Sequence, residues 1–399
     1  MSEWRETTLR DISLVVKRGK APLYADNGLL VLNQKCVRAE NRVDLSFARR
    51  TDADKRPVND WALLTDSDVL VNSTGRGTLG RASLAPRINE PVTVDSHVAI
   101  VRVDQDKATP EFVALNLSAR QADLESFQSG STNQTELSAK TLAAIPVLLP
   151  PISEQRRIAN LMAAVDGHLV ALSDEVDKLR VTFARRKDEV YGDFTREGTP
   201  CRLGSVLAEI KRPIVVDPTV SYRQIGVRSH GRGIFTKEPV TGEELGSKKV
   251  FWVEPGDLVI NIVFAWEGAV ALMPDGLEGY CGSHRFPTYR RIDDGEIDFF
   301  RYYFTTTDGV ALLGNCSPGG AGRNRTLNRK RLMETTVFLP DLAAQQMAVA
   351  ELRALEAAVD DLEAELARFR TYRSALLTGL LSQEIEIPES YDAFLDAVS

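Results

Sequence analysis

The apolar positions of this 399-residue chain fall into two kinds of pattern, and each kind occurs twice. The first is short: Leu29–Leu32, Val69–Asn72 and Val98–Val103 early on, then Val220–Val227, Val250–Val253 and Leu258–Phe264. Short apolar runs bounded by turn-forming residues predict strands. Pro110–Glu125 and Phe299–Leu313 predict short helices. The second kind is long. Apolar residues at Met162, Val165, Leu169, Leu172, Val176, Leu179, Phe183 and Val190 alternate steps of three and four until Arg186 interrupts. Leu352, Leu355, Val359, Leu362, Leu366, Phe369, Leu376 and Leu380 repeat that heptad seam. Ser153 and Glu154, just after Pro150-Pro151, supply a capped start. A helix over 154–193 is about 60 Å long at roughly 1.5 Å per residue. It is expected to end near Gly192, with Gly198 and Pro200 just beyond.

These patterns are two copies of one unit. Leu148-Leu149-Pro150-Pro151-Ile152-Ser153-Glu154-Gln155 has its counterpart in Phe338-Leu339-Pro340-Asp341-Leu342-Ala343-Ala344-Gln345, at an offset of 190. That offset also pairs Gly130 with Gly320, Leu137 with Leu327, and the two seams (Met162 with Leu352). Ser67–Asn72 answers Gly256–Asn261 at 189, and Ser96-His97 answers Ser283-His284 at 187, so short insertions separate the matched blocks. A period this long is a duplicated domain rather than a solenoid. Two seams in one register suit helices that zip onto each other or onto partner helices. Each globular part reads as α+β, with loops carried on a sheet.

Composition refines the picture without giving chemistry. The net charge of −7 is uneven: residues 1–150 are neutral, 151–200 carry −1, 201–340 carry +2 and 341–399 carry −8. The acidity belongs to the last segment, so both globular parts are free to present basic loops. Cys36, Cys201, Cys281 and Cys316 are scattered, without CxxC spacing, and suit a reducing compartment. No apolar run is long enough for a membrane span, and the N-terminus lacks a signal-peptide layout. A cytoplasmic location is expected. Gly75-Arg76-Gly77-Thr78-Leu79-Gly80 matches GxGxxG, but Pro86 leaves no room for the helix that a dinucleotide-binding loop must open. No phosphate loop, methyltransferase-like segment or histidine metal spacing is visible, so no catalysis, cofactor or metal is expected in this chain.

What remains is recognition. The second copy offers Arg228, Ser229, His230 and Arg232 in a glycine-rich loop, then Ser283, His284 and Arg285, then Arg323, Asn324, Arg325, Arg329 and Lys330. The first copy offers Lys17, Arg18, Lys20, Arg76, Arg81, Ser96 and His97, with Ser131, Thr132, Asn133 and Gln134. Arg and Lys suit guanine edges or phosphate, Asn and Gln suit adenine edges, and hydroxyls suit phosphate.

The segments Ile145–Ile158 and its degenerate copy Val337–Val349, together with Asp68–Gly75, Gly256–Trp266 and Gly282–Pro287, resemble the specificity (S) subunit of type I restriction-modification systems, over essentially the whole chain. The second copy departs at Asp341 and Gln346-Met347, where the first has Pro151 and Arg156-Arg157. The resemblance implies target recognition domains over 1–150 and 199–340. Spacer helices over 151–198 and 341–385 would form an antiparallel coiled coil in a pseudo-twofold repeat, with an acidic tail over 386–399. It implies a non-catalytic subunit that reads a bipartite asymmetric site on double-stranded DNA and docks two methyltransferase (M) subunits, with restriction (R) subunits in the larger complex. S-adenosylmethionine and ATP with magnesium would then belong to those partners. A coiled-coil protein-binding adaptor and a standalone DNA-modifying enzyme are the alternatives from other classes.

Overall fold

The computed structural model describes residues 4–127, 136–319 and 325–393. They divide into two compact units, one within residues 1–173 and 365–399, the other within 174–364. Each unit therefore combines one globular part with a portion of both long helices.

In the first unit the strand Asp68–Asn72 is central to a four-stranded antiparallel sheet with Val98–Val103, Ala82–Leu84 and Ser13–Arg18. All five of its residues are buried. Val69 and Val71 share a core with Phe112 of the helix Pro110–Ala119, whereas Leu70 faces a second core with Leu32, Val92 and Val94. Burial on both faces explains why this strand reads as a continuous apolar run instead of an alternating one. The second layer contains Tyr24–Ala25, Arg49–Thr51, Leu29–Leu32 and Val92–Val94, the last two pairing in parallel. Arg5–Thr8 and Pro146–Leu149 close the unit as an antiparallel pair.

The second unit repeats this scheme. Leu207–Ile210, Thr288–Arg291, Leu258–Ile260 and Val270–Leu272 form the antiparallel sheet. Ser221–Val227 and Tyr280–Ser283 pair in parallel within the second layer, and Thr199–Arg202 pairs with Thr336–Leu339. The buried Asp68 at the start of the central strand accepts two hydrogen bonds from Arg102, at 2.8 and 2.7 Å. Its counterpart Asp257 is held by Arg212 and Arg290. The α+β reading and the duplication are both realised.

Four boundaries differ from expectation, and the first is Pro110–Glu125, which is two helices, Pro110–Ala119 and Gln121–Ser126. The run Leu258–Phe264 is a strand only to Ile260, because the Asn261 side chain accepts the Val263 N–H and turns the chain. Phe299–Leu313 is two helices, Ile297–Tyr303 and Thr307–Asn315, since the Thr306 hydroxyl caps the Gly309 N–H and starts a new one. The first long helix runs through Gly192 and ends at Glu197. A Cβ at Gly198 would lie 2.5 Å from the Phe194 carbonyl oxygen, so the next position excludes a side chain.

The long helices are Ile152–Glu197 and Leu342–Leu381. The first is pinned at its start by Gln155, which donates to the Pro150 carbonyl and accepts the Thr109 N–H, both at 2.8 Å. Gln345, at the same offset of 190, donates to the Pro340 carbonyl at 2.9 Å. Within each unit the helices pack together antiparallel. In the first unit Arg373 forks onto Asp166, and the Phe369 ring meets His168 edge-on at 4.7 Å. In the second, Arg180 bonds Glu363 and Arg186 bonds Glu351. The seam residues Met162, Leu169, Leu172, Val176, Leu352, Val359 and Leu366 are buried, as a heptad pair requires. The described part of the acidic C-terminal segment is anchored: Arg157 donates to the Ile387 carbonyl and pairs with Asp392. Among the described residues no helix is long and apolar enough to cross a membrane.

Candidate nucleic-acid interface

In each unit several of the predicted polar loops, though not all, gather where the central strand ends. In the first, Asn72 donates its side-chain amide to the Gln34 carbonyl at 3.0 Å, tying this end to the loop after Leu29–Leu32. The Ser73 N–H reaches the His97 carbonyl, and the Leu137 N–H reaches the Ser73 carbonyl, both at 2.8 Å. Thr74 donates its hydroxyl to Gln34 Oε1 at 3.0 Å and meets His97 Nδ1 at 2.9 Å. Gly75 then turns at φ +99°, a left-handed geometry in which a Cβ would strike Thr78 and Gln34. The GxGxxG segment is thus a tight turn leading into the strand Ala82–Leu84, with no helix to receive a pyrophosphate. Arg76 at its tip is exposed, while Arg81 folds back onto the Gly77 carbonyl.

The turn before Val98 is braced from below. Buried Asp95 accepts the His97 N–H at 2.8 Å and the Tyr24 hydroxyl at 3.3 Å, and burial pushes its carboxyl pKa up. The Tyr24 ring carries the Arg49 guanidinium at 3.5 Å. Arg18 donates to the Ser96 carbonyl and pairs with Glu136, so its charge is largely committed inside the protein. Lys17 lies over the Trp61 ring, and Lys20 lines a small apolar pocket with Trp61, Pro22 and Pro57; neither has a bond to the loop group.

The second unit reproduces the backbone part of this wiring. The Asn261 N–H reaches the Ala269 carbonyl, as Asn72 reaches Arg81, both at 2.9 Å. The Ile262 N–H reaches the Arg285 carbonyl at 3.0 Å, and the Leu327 N–H reaches the Ile262 carbonyl at 2.9 Å. These bonds correct one detail of the sequence pairing: the structural equivalent of His97 is Arg285, not His284. The reason is strand register. Val69 faces Val101 and Leu258 faces Tyr289, which shifts the match from 187 to 188. Ser283 accordingly takes the place of Asp95, its hydroxyl accepting the Arg285 N–H at 3.4 Å.

The loop Arg228–Gly233 joins the same group. The His230 N–H, at φ +62°, donates to the Glu267 carbonyl, the Gly231 N–H donates to Gly268, and the Ser229 hydroxyl donates to Glu267. Arg228 lies over Phe235, and Arg325 lies over the Trp266 ring at 5.4 Å. Arg232, His284 and Arg285 are exposed. Arg329 stands apart, its guanidinium bonded to Glu209, while Lys330 is fully solvated beside Glu334. Ser131, Thr132, Asn133, Gln134, Arg323 and Asn324 lie outside the described residues. Sequence reasoning missed Gln34, Asp95 and Trp266, whose only signal was their position at the ends of predicted strands.

Residues 1–177 match the type I restriction modification DNA specificity domain. A solved chain described under complex assembly and conformational transition of the type I R-M system aligns over 95% of this chain and 97% of its own length, with TM-score 0.60 at 15% identity. The type I restriction-modification S subunit from M. genitalium aligns over 95% and 96%, with TM-score 0.56 at 14% identity. The curated relative translation initiation factor IF-2 of Xylella fastidiosa is 26% identical over 174 residues, 42% of this chain. The chain spans only 19% of that factor's length, and so short a likeness shows no shared activity. Residues 1–177 thus match the type I restriction modification DNA specificity domain, and the chain as a whole, with its duplicated α+β units and helix pair, shares the fold of the solved S subunit from M. genitalium.

Proposed function

We propose that this chain is the DNA sequence-recognition subunit of a type I restriction-modification complex, each copy reading one half of a bipartite, asymmetric duplex site. The observation that carries this is the pair of loop groups, built on the same backbone hydrogen bonds but bearing different side chains. Thr74, Arg76 and His97 stand in one; Trp266, Arg285 and Arg325 stand in the other. A shared scaffold with divergent polar tips is what two readers of unequal half-sites need, because phosphate contacts position a protein and base contacts specify.

In this reading the paired helices hold the two readers at a set separation and offer docking surface to two methyltransferase subunits, with restriction subunits in the larger assembly. The chain performs no chemistry itself. S-adenosylmethionine is bound by the methyltransferase partners, ATP and magnesium by the restriction subunits, and the assembly works in the cytoplasm. The test is methylation of a randomised duplex library by the chain with its methyltransferase partner, followed by sequencing of the modified sites. The expected result is one motif of two short blocks separated by a constant gap. Methylation without sequence preference would refute the proposal.

A further inference from the structure

Two side chains occupy one backbone slot in the two copies, His97 and Arg285. In each, the carbonyl accepts the amide that follows the Asn at or just past the end of the central strand (Asn72 or Asn261), from Ser73 or Ile262, and the N–H is capped by the side chain two residues earlier, Asp95 or Ser283. Both side chains are exposed at the loop group. Resting on the recognition role proposed above, we propose that this slot is a base-reading position in both halves, and that its two occupants have opposite hydrogen-bond polarity.

The polarity follows from the bonds around His97. Thr74 gives its only hydroxyl proton to Gln34 Oε1, so the 2.9 Å contact between Thr74 Oγ1 and His97 Nδ1 needs the proton on Nδ1. In the neutral ring, Nε2 is then left as a bare acceptor facing solvent. An acceptor fits the exocyclic amino group of adenine or cytosine in the major groove. Arg285 offers only donors, in a fork that matches O6 and N7 of guanine. Its guanidinium has no partner among the described residues, so nothing must be broken to reach a base. Arg18, by contrast, is committed to Ser96 and Glu136, and Arg329 to Glu209.

The experiment selects bound duplexes from a randomised library with the chain in its methyltransferase complex, comparing the unaltered protein with R285K, R285H and H97R. R285K keeps the charge but loses the fork. It is expected to relax one guanine position in one half-site by about tenfold, while affinity for duplexes lacking that guanine holds. H97R is expected to change one position in the other half-site from an amino-bearing base toward guanine. In each variant the untouched half-site and the gap report that the complex remains folded. If R285K and R285H weaken all sequences alike without changing the preference, the slot grips phosphate and this inference fails while the recognition role stands. The same holds if H97R leaves its half-site unaltered. If the unaltered complex selects no motif at all, the recognition role itself fails.

Discussion

Arg373 occupies a place in the helix seam where the pattern calls for an apolar residue, between Phe369 and Leu376. The residue at the same register in the first helix is Phe183. The Arg373 side chain is 8% exposed and that of its partner Asp166 is 16% exposed. Two charges about 4 Å apart at an effective dielectric of about 20 attract by about 4 kcal/mol. R373M removes that attraction and leaves a carboxylate with little access to water, at an expected cost of about 3–5 kcal/mol. With a denaturant slope of about 2 kcal/mol/M, the urea midpoint followed by far-UV circular dichroism should fall by about 1.5–2.5 M. D166L alone should cost a similar amount, since it strands the guanidinium. The double variant D166L/R373M should recover most of the loss and lie within about 1 kcal/mol of the unaltered protein, because desolvation of a buried pair consumes most of its Coulomb gain. R185A is the control: its partner Glu189 sits one turn on at the surface, and loss of such a pair costs only a few tenths of a kcal/mol, about 0.3–0.5. If R373M behaves like R185A, or if the double variant is as unstable as the sum of the singles, the reasoning is wrong.

Other consequences can be measured on the same protein. Arg301 and Tyr302 donate to Glu356; burial works against its ionisation, but these bonds hold its pKa below the usual carboxylate value. The stability it contributes is therefore fully present above the unfolded carboxylate pKa and is lost as pH falls through the lower folded value, so E356Q should flatten the acid limb of a plot of unfolding midpoint against pH. G75A places a Cβ 2.3 Å from Thr78 Oγ1 at a left-handed φ; strain of about 1–3 kcal/mol should appear as a lower melting temperature, together with weaker DNA retention in a gel-shift titration. R325A removes an exposed cation lying over Trp266, and should weaken binding alike across sequences while reducing the salt slope by about one.

The long helices were legible because their pattern is local and repeated. A step of three and four sustained over many turns has few other solutions, and the offset of 190 placed both seams in one register. The central strands were legible for a related reason: burial on both faces makes Val69–Asn72 a continuous apolar run. Short boundaries were less so, since Asn261 and Thr306 act through side-chain bonds to backbone amides that periodicity does not encode. Among candidate site residues, the turns around Arg76 and His97 meet in the first unit, and those around Arg228 and Arg285 lie at one loop group in the second. Arg18 and Arg329 looked equivalent to them as cations, yet each meets a carboxylate, Glu136 or Glu209, that lies more than a hundred residues away in the chain.

By itself the sequence determined that one unit is written twice, that each copy is an α+β body followed by a long amphipathic helix, and that polar loops vary while the seams do not. Those properties are carried by neighbours in the chain, so spacing alone reveals them. Only the tertiary structure decided which side chain stands in the shared slot. Matching Ser96-His97 to Ser283-His284 by identity pairs the two histidines. Strand register, set by hydrogen bonds between segments some thirty residues apart, pairs His97 with Arg285 instead. A one-residue shift in a turn is invisible to periodicity, and it determines which side chain each copy presents in that slot.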